Sequence, residues 1–317
     1  MRLTRPEHRR FAGVTLIELV VAIVLVGIVL AITVYFVYPV RQSVDLTTRA
    51  QLTDAADNAL QRIGREVRLA LPNSIRVDAS GTPIFVEFLP VRTAGRYRAD
   101  GGSVAGGVNC PADGMAAPAA DQLSFDSIVD TCFKTIGTVG TAAEVAAITI
   151  DDFLVFNNYG PDFSGQNAYQ TGGVLNRRKL SALPDASEGT RVRFAFTSAT
   201  ALDRTLHDST GRRFFVVVGN NASGRPEPVT YECNTATGTL TRRWGYQMVE
   251  TPTSPPTFTG GTSAVIARDI TGCFFDYAAN VAPQIGLLTL RLTLSRAVSS
   301  GTETVSLYHA IHVSNVP

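Results

Sequence analysis

Charge is scarce in this 317-residue chain, where Asp, Glu, Lys and Arg together make 17% of residues, against about 25% in ordinary soluble domains. Lysine is almost missing: only Lys134 and Lys179 occur, and the other 26 basic residues are arginine. The net charge is +1, from 27 acidic and 28 basic residues. That balance excludes an acidic disordered tail and a wholly basic nucleic-acid-coating protein. The arginine excess reads first as the codon bias of a GC-rich genome, with guanidinium recognition of phosphate or carboxylate as the functional alternative. Histidine and cysteine number four each. Cys110, Cys132, Cys233 and Cys273 make no C-x-x-C pair, which leaves a thioredoxin-like or zinc-ribbon reading without support.

The chemistry of catalysis is missing too. No G-x-S-x-G marks a nucleophile elbow. His207 lies near Asp203 and Asp208 with no nucleophile at recognisable spacing. His309 and His312 are three apart on an expected strand, so they face opposite sides and do not share a metal. Gly219 to Arg225 (GNNASGR) lacks the Lys-Ser/Thr ending of a phosphate loop, and Pro226 follows it, so it reads as a turn. Asp151, Asp152, Asn157, Asn158 and Asp162 offer oxygens for calcium, at no recognised spacing. The pairs Arg177-Arg178, Arg212-Arg213 and Arg242-Arg243 read as solvated faces or intersubunit pairs before they read as a DNA-binding tip. The expectation is a non-enzyme with no catalytic residue, no cofactor and no metal, and nucleic acid is not an expected partner.

What the chain does have begins at its N-terminus. Residues 1–13 carry four arginines against Glu7, a net +3. Leu19 to Val37 then runs 19 residues without a charge, about 28 Å as a helix and close to a ~30 Å hydrocarbon core. No small-residue cleavage site stands beyond it, unlike a secretory signal. Arginines precede the run and only Arg41 and Arg49 follow soon after, which predicts a single span with the N-terminus cytoplasmic and the bulk exported. Glu18 interrupts the start of the apolar stretch, and an ionisable group at a membrane segment is a functional hypothesis by default.

The segment Gly13-Val14-Thr15-Leu16-Ile17-Glu18-Leu19 resembles the class III signal of type IV prepilins and type II secretion pseudopilins. The resemblance implies a prepilin peptidase that cuts after Gly13 and methylates Val14, where the family usually has Phe. It makes Glu18 the fifth mature residue, whose carboxylate meets the amino terminus of a neighbouring subunit and sets axial register. A buried ammonium and a buried carboxylate are each costly alone and tolerable as a pair.

Beyond the span, Val40, Val44, Leu52, Ala56, Leu60, Ile63, Val67 and Leu71 recur at helical spacing with polar residues between them. Pro39 is expected to kink or locally break that helix, and Leu71-Pro72 to end it. From there the chain reads as strands: 74–79, 84–89, 147–156, 192–196, 213–218, 229–233, 239–246, 264–270, 286–295 and 303–313, with loop at 101–120.

Further along, Val229-Thr230-Tyr231-Glu232-Cys233, Ala267-Arg268-Asp269-Ile270-Thr271-Gly272-Cys273, Val305-Ser306-Leu307-Tyr308-His309 and the closing His312 to Pro317 are similar to the MshO-type minor pilins of mannose-sensitive haemagglutinin (MSHA) pili. Leu71 to Ser74 and Gly95 to Arg98 match the same family. Export favours disulfides. Sequence order suggests Cys110–Cys132 and Cys233–Cys273, although four cysteines allow three pairings.

The fold expected from this resemblance is α+β, a type IV pilin fold in which a long N-terminal helix packs on a β-rich antiparallel head. Its divisions are a leader at 1–13, a membrane or filament-core helix at 14–39, an amphipathic continuation at 40–71 and the head at 72–317. The expected role is a minor pilin of an MSHA-like type IV pilus, acting in assembly initiation or at the tip and serving cell adhesion. A type II secretion minor pseudopilin is the alternative, and a membrane-anchored periplasmic binding module or enzyme is the rival of another class. The partners implied are prepilin peptidase, major and minor pilins and the inner-membrane assembly platform. The chain is expected in the inner membrane before assembly, with its head periplasmic, and in the pilus afterwards.

Overall fold

The computed structural model describes residues 13–99, 122–125, 130–187, 189, 191–197, 200–220, 222–251, 257–282, 284–298 and 301–317. In chain order come α1 (Leu16–Arg68), β1 (Arg76–Asp78), β2 (Ile84–Phe88), β3 (Val91–Arg96), β4 (Cys132–Lys134), α2 (Ala142–Ala146), β5 (Phe153–Phe156), β6 (Arg177–Lys179), β7 (Arg193–Ala195) and α3 (Arg204–His207). They are followed by β8 (Arg213–Val217), β9 (Gly219–Asn220), β10 (Arg225–Pro226), β11 (Val229–Asn234), β12 (Thr239–Tyr246), β13 (Gly260–Arg268), β14 (Ile270–Ala282), β15 (Ile285–Val298) and β16 (Gly301–Ser314). A long helix and antiparallel sheets make this an α+β, pilin-like arrangement.

α1 runs 53 residues and passes through Pro39 without a break, contrary to the expected interruption. One proline removes one i→i−4 rung, and the flanking rungs on either side are kept. The helix stops at Arg68, short of the expected Leu71, because the chain is already entering a sheet there. Ala70 bridges Pro90, and the Leu71 N–H donates to the Leu89 carbonyl at 2.8 Å.

Two compact units divide the chain, residues 1–51 with 296–303 and residues 52–295 with 304–317. Within the first, Arg49 Nη1 lies 2.8 Å from Glu303 Oε1, and Arg296 Nη1 donates to Gln51 Oε1 at 3.0 Å. Within the second, the helical stripe read from the sequence is the buried face: Leu52, Ala56, Leu60, Ile63 and Val67 are all buried. They pack against alternate residues of the strands, among them Val86, Tyr231, Leu290, Leu292 and Ile311. Gly64 lies on this contact, where a Cβ would come 3.2 Å from His309 Nε2. A glycine mid-helix costs about 1 kcal/mol relative to alanine, and the close approach of His309 accounts for it.

Three sheets build the head. One has the order β1-β2-β11-β12-β13, a second β14-β15-β16 and a third β3-β8-β5-β6, with short pairs β4-β7 and β9-β10 beside them. Cys233 of β11 and Cys273 of β14 are joined by a disulfide, tying the first sheet to the second. Cys132 is disulfide-bonded, and Cys110 lies outside the described residues. The third sheet encloses an aromatic core in which Phe133, Phe194 and Phe214 meet with centroids 5.1 to 5.8 Å apart. Edge-to-face rings such as Phe133 and Phe214 add about 0.5–1.5 kcal/mol each beyond their buried area.

Two expected strands are differently divided. Of the expected strand at 147–156 only Phe153–Phe156 is strand, β5; residues 147–152 are the C-cap and turn that follow α2, which the Thr141–Glu144 capping box starts just upstream. The expected strand at 264–270 is two strands broken at Asp269, whose φ of 63° reverses the chain. Asp tolerates that left-handed region better than most residues. The expected loop at 101–120 lies outside the described residues.

Five tyrosine hydroxyls in the head are pushed above their ordinary range by burial: Tyr97, Tyr169, Tyr231, Tyr246 and Tyr277. A group whose folded pKa is raised gives stability that is full below its unfolded value and lost as pH climbs through the folded value. Stability of the head is therefore expected to fall above about pH 10, where unfolded tyrosine ionises. Burial of Arg177 and Arg178, held down to about 10, works in the opposite sense over the same range. Tyr231→Phe isolates one contribution, in which burial and the neighbouring Glu66 carboxylate both disfavour the ionised hydroxyl. Urea unfolding is expected to show little change at pH 7 and a shallower loss between pH 9.5 and about 11. Parallel curves for the variant and the parent chain would contradict this.

Candidate N-terminal processing and assembly site

α1 starts at Leu16 because Thr15 caps it: the Glu18 N–H donates to Thr15 Oγ1 at 3.3 Å. Thr15-Leu16-Ile17-Glu18 has the S/T-x-x-E spacing of a capping box, a local signal legible in the sequence. Glu18 stands in the first turn, where a carboxylate also complements the positive end of the helix dipole. Gly13 and Val14 precede the cap, exposed and outside regular structure. The leader before Gly13 lies outside the described residues.

From Leu16 to Tyr35 the helix has mean hydropathy 3.0, and none of it is buried. Isoleucine, valine and leucine line every side of it, with Leu16 81% exposed and Ile17 72%. A helix apolar all round has no polar face to present to water. It is long enough to cross a membrane, and lipid or apolar helices of other chains are the surroundings that suit it.

Residues singled out elsewhere in the sequence are brought into structural roles. His207 is fully buried at the end of α3, where its Nδ1 accepts the Asp203 N–H at 3.0 Å and its Nε2 lies 2.8 Å from the Gly165 carbonyl. With Nδ1 accepting, the proton belongs on Nε2, so the ring is a neutral brace between two loops. His312 is exposed while His309 faces α1, on the opposite side of β16. Asp151 pairs with Lys179 at 2.9 Å. Asp152 instead points inward to Arg92 at 2.6 Å and accepts the Gly219 N–H at 3.0 Å. Asn158 spans the Pro72 carbonyl and the Ala168 N–H. Among the described residues no group of three or more His, Cys, Asp or Glu converges as a metal would require.

Within GNNASGR, Gly219-Asn220 form β9, residues 222–224 turn, and Arg225 opens β10. Its Gly219 answers a close approach, since a Cβ there would lie 1.7 Å from the Asp151 carbonyl oxygen. Arg212 and Arg213 are exposed, and the other two arginine pairs are engaged within the fold. Arg177 and Arg178 are buried and donate to the Ala168, Leu175 and Thr200 carbonyls. Arg242 binds Glu66 of α1 at 2.8 Å, and Arg243 binds Glu232 at 2.5 Å.

Residues 8–34 match the prokaryotic N-terminal methylation motif, a span that holds Gly13, Val14, Glu18 and most of the exposed apolar helix. No curated protein and no solved structure matches the chain. The motif implies processing by prepilin peptidase, anchoring in the inner membrane before assembly and pilus-type assembly partners. Together with the helix and the antiparallel head, it makes the chain type IV pilin-like, bearing a prepilin-type cleavage and methylation signal.

Proposed function

We propose that the chain is a minor pilin of a type IV, MSHA-like pilus, which helps to start assembly or sits at the tip. In this reading residues 1–13 are the leader, 14–39 the membrane and filament-core helix, 40–71 its continuation, and 72–317 the exported head. Gly13 and Val14 flank the cut, Val14 carries the methyl group, and Glu18 sets register against a neighbouring subunit's amino terminus. The observation that carries the reading is the exposed helix Leu16–Tyr35 placed inside the methylation motif. An anchored enzyme needs the helix but neither the glycine before it nor the glutamate within it. A head of 246 residues beyond the helix suits a tip better than a repeated place in a tightly packed shaft.

Intact mass and N-terminal sequencing of the mature protein test the first step. The expected product has 304 residues and begins at N-methylated Val14. A chain still starting at Met1, or one cut beyond Val37, would overturn the reading. Fractionation tests the second: a minor pilin is expected in sheared filaments at low copy, whereas a membrane-anchored enzyme stays with the inner membrane. Recovery only in a strain with an intact type II secretion system would favour the pseudopilin reading.

A further inference from the structure

Like charges meet across one strand pair of the head. In the β3–β8 register Arg96 stands directly opposite Arg213, and both are exposed. Residues so placed in an antiparallel pair have Cβ atoms about 4.5–5.5 Å apart, and like charges there destabilise the sheet. The two side chains also lean on one glycine. Arg96 Nε donates to the Gly211 carbonyl at 3.2 Å, and Arg213 Nε lies 3.4 Å from where a Gly211 Cβ would stand. The turn that carries Gly211 is itself held: the Arg212 N–H donates to the Ser209 carbonyl and the Arg213 N–H to Ser209 Oγ, both at 2.9 Å. Tyr97 and Phe214, the next residues of the two segments, are buried in the aromatic core. By strand alternation Arg96 and Arg213 therefore share the opposite face.

No carboxylate answers them. Elsewhere in the head Arg76, Arg92, Arg242 and Arg243 each hold an Asp or Glu. Arg96 and Arg213 have no acidic partner among the described residues. On the far side of Arg96 stands Ile136, 46% exposed, whose N–H donates to the Arg96 carbonyl at 2.8 Å. On the far side of Arg213, β5 ends at Phe156 opposite Phe214, and the next residue is the neutral Asn157. Arg98, half-buried, adds a third cation two residues along on the same face. Of the acids on adjoining segments, Asp208 accepts from the Tyr97 hydroxyl at 2.9 Å, and Asp185 pairs across a bridge with Arg193. The repulsion between the two guanidinium groups thus has no counterion within the described chain.

We infer that Arg96 and Arg213, with Arg98 beside them, form a binding site for a dianionic oxyanion: the phosphate group of a monoester or free phosphate. A guanidinium fork matches phosphate oxygens and donates two parallel hydrogen bonds to them. Two forks facing one another across a strand pair suit a group that carries two charges and oxygens on several sides. A single carboxylate neutralises only one of them. The inference is independent of the filament reading, because every residue it uses belongs to the head.

Phosphorus NMR line broadening of glucose 6-phosphate and of inorganic phosphate tests it on the full-length chain in an uncharged maltoside detergent. Low salt is needed, since exposed charges are screened. Saturable binding is expected, and Arg96→Gln or Arg213→Gln should each weaken it by at least about tenfold, the loss of one charge-assisted fork. Arg96→Lys keeps the charge without the fork and should recover only part of that loss. Arg268→Gln removes an exposed arginine of β13 and is expected to leave binding unchanged. A monoester loses its second charge at about pH 6, so glucose 6-phosphate should bind several-fold more weakly at about pH 5 than at about pH 7.5. Sulfate, a dianion at both, should not. Tighter binding of the sugar ester than of free phosphate assigns the group to a phosphorylated saccharide, and equal binding assigns it to the free ion; both bear out the site. Absence of saturable binding would overturn the inference, as would an Arg268→Gln effect equal to that of the other two. So would acetate competing as well as phosphate, which would make this a seat for a partner protein's carboxylate. A thymidine oligonucleotide that displaces phosphate and still binds both glutamine variants would also overturn it, as diffuse attraction of a polyanion.

Discussion

Glu18→Ala is expected to leave cleavage and methylation intact while reducing incorporation into sheared filaments by at least about tenfold, because one member of a buried ion pair would be lost. Cleavage after Gly13 creates an α-amine at Val14, one residue before the Thr15 cap and four before Glu18. In lipid that ammonium sits near the interface and stays wet. Among packed apolar helices it needs a carboxylate, and none of the residues from Leu19 to Tyr35 supplies one. Glu18→Gln keeps the volume and removes the charge, so it should fail as alanine does, whereas Glu18→Asp should recover part of the loss. The measurement is the ratio of filament-bound to membrane-bound chain by immunoblot, with the mature N-terminus verified by mass. Equal incorporation of the parent, alanine and glutamine chains would show that Glu18 does not set register. Thr15 complicates the result in a useful way: the carboxylate also belongs to the first turn of α1. A local loss of helix would appear as poorer insertion, separable from assembly by comparing membrane levels.

The second large effect is expected in the head, at Arg76. Its Nε and Nη2 hold Glu87 at 2.6 and 2.5 Å, and the remaining donors bind the Val249 and Glu250 carbonyls. Its guanidinium lies 3.6 Å from the centre of the Tyr169 ring. Glu87 in turn accepts from the Tyr246 hydroxyl at 2.6 Å and the Thr230 hydroxyl at 3.2 Å. The two charged side chains are only 15% and 9% exposed, so each relies on the other rather than on water. Breaking such a pair by removing one partner costs about 3–5 kcal/mol, much of it the penalty on the charge left behind. Arg76→Met is thus expected to destabilise the head by roughly that amount in urea unfolding. The double variant Arg76→Met/Glu87→Leu should recover much of the loss, since Tyr246 and Thr230 can still bond each other across their present 2.5 Å contact. A loss below about 1 kcal/mol for the single variant, the scale of an exposed pair, would show that water reaches Glu87.

These two sites differ in how far the sequence alone reveals them. Glu18 is legible because its meaning is local: a carboxylate inside an apolar run, a glycine five residues earlier and a basic leader before that. The buried stripe of α1 from Leu52 to Val67 is legible for the same reason, since 3.6-residue periodicity is a property of adjacent residues. Arg76 and Glu87 are eleven positions apart and look like any charges in a β-rich region. Only the pairing of β1 with β2, which sets Arg76 opposite Glu87, puts them together. Burial of Arg177 and Arg178 beside β5 is hidden in the same way, as is the interior place of His207.

By itself the sequence determined where the long apolar helix lies and that a cleavage and methylation motif surrounds its start. The scarcity of charge is in part the signature of one helix, and under the proposed cut after Gly13 a +3 leader stands before a chain of net −2 in the total of +1. Those conclusions rest on composition and spacing within about forty residues. Tertiary structure decided which arginines are buried and which charges depend on one another. Each is a relation between residues far apart in the chain, and strand pairing alone brings them within reach.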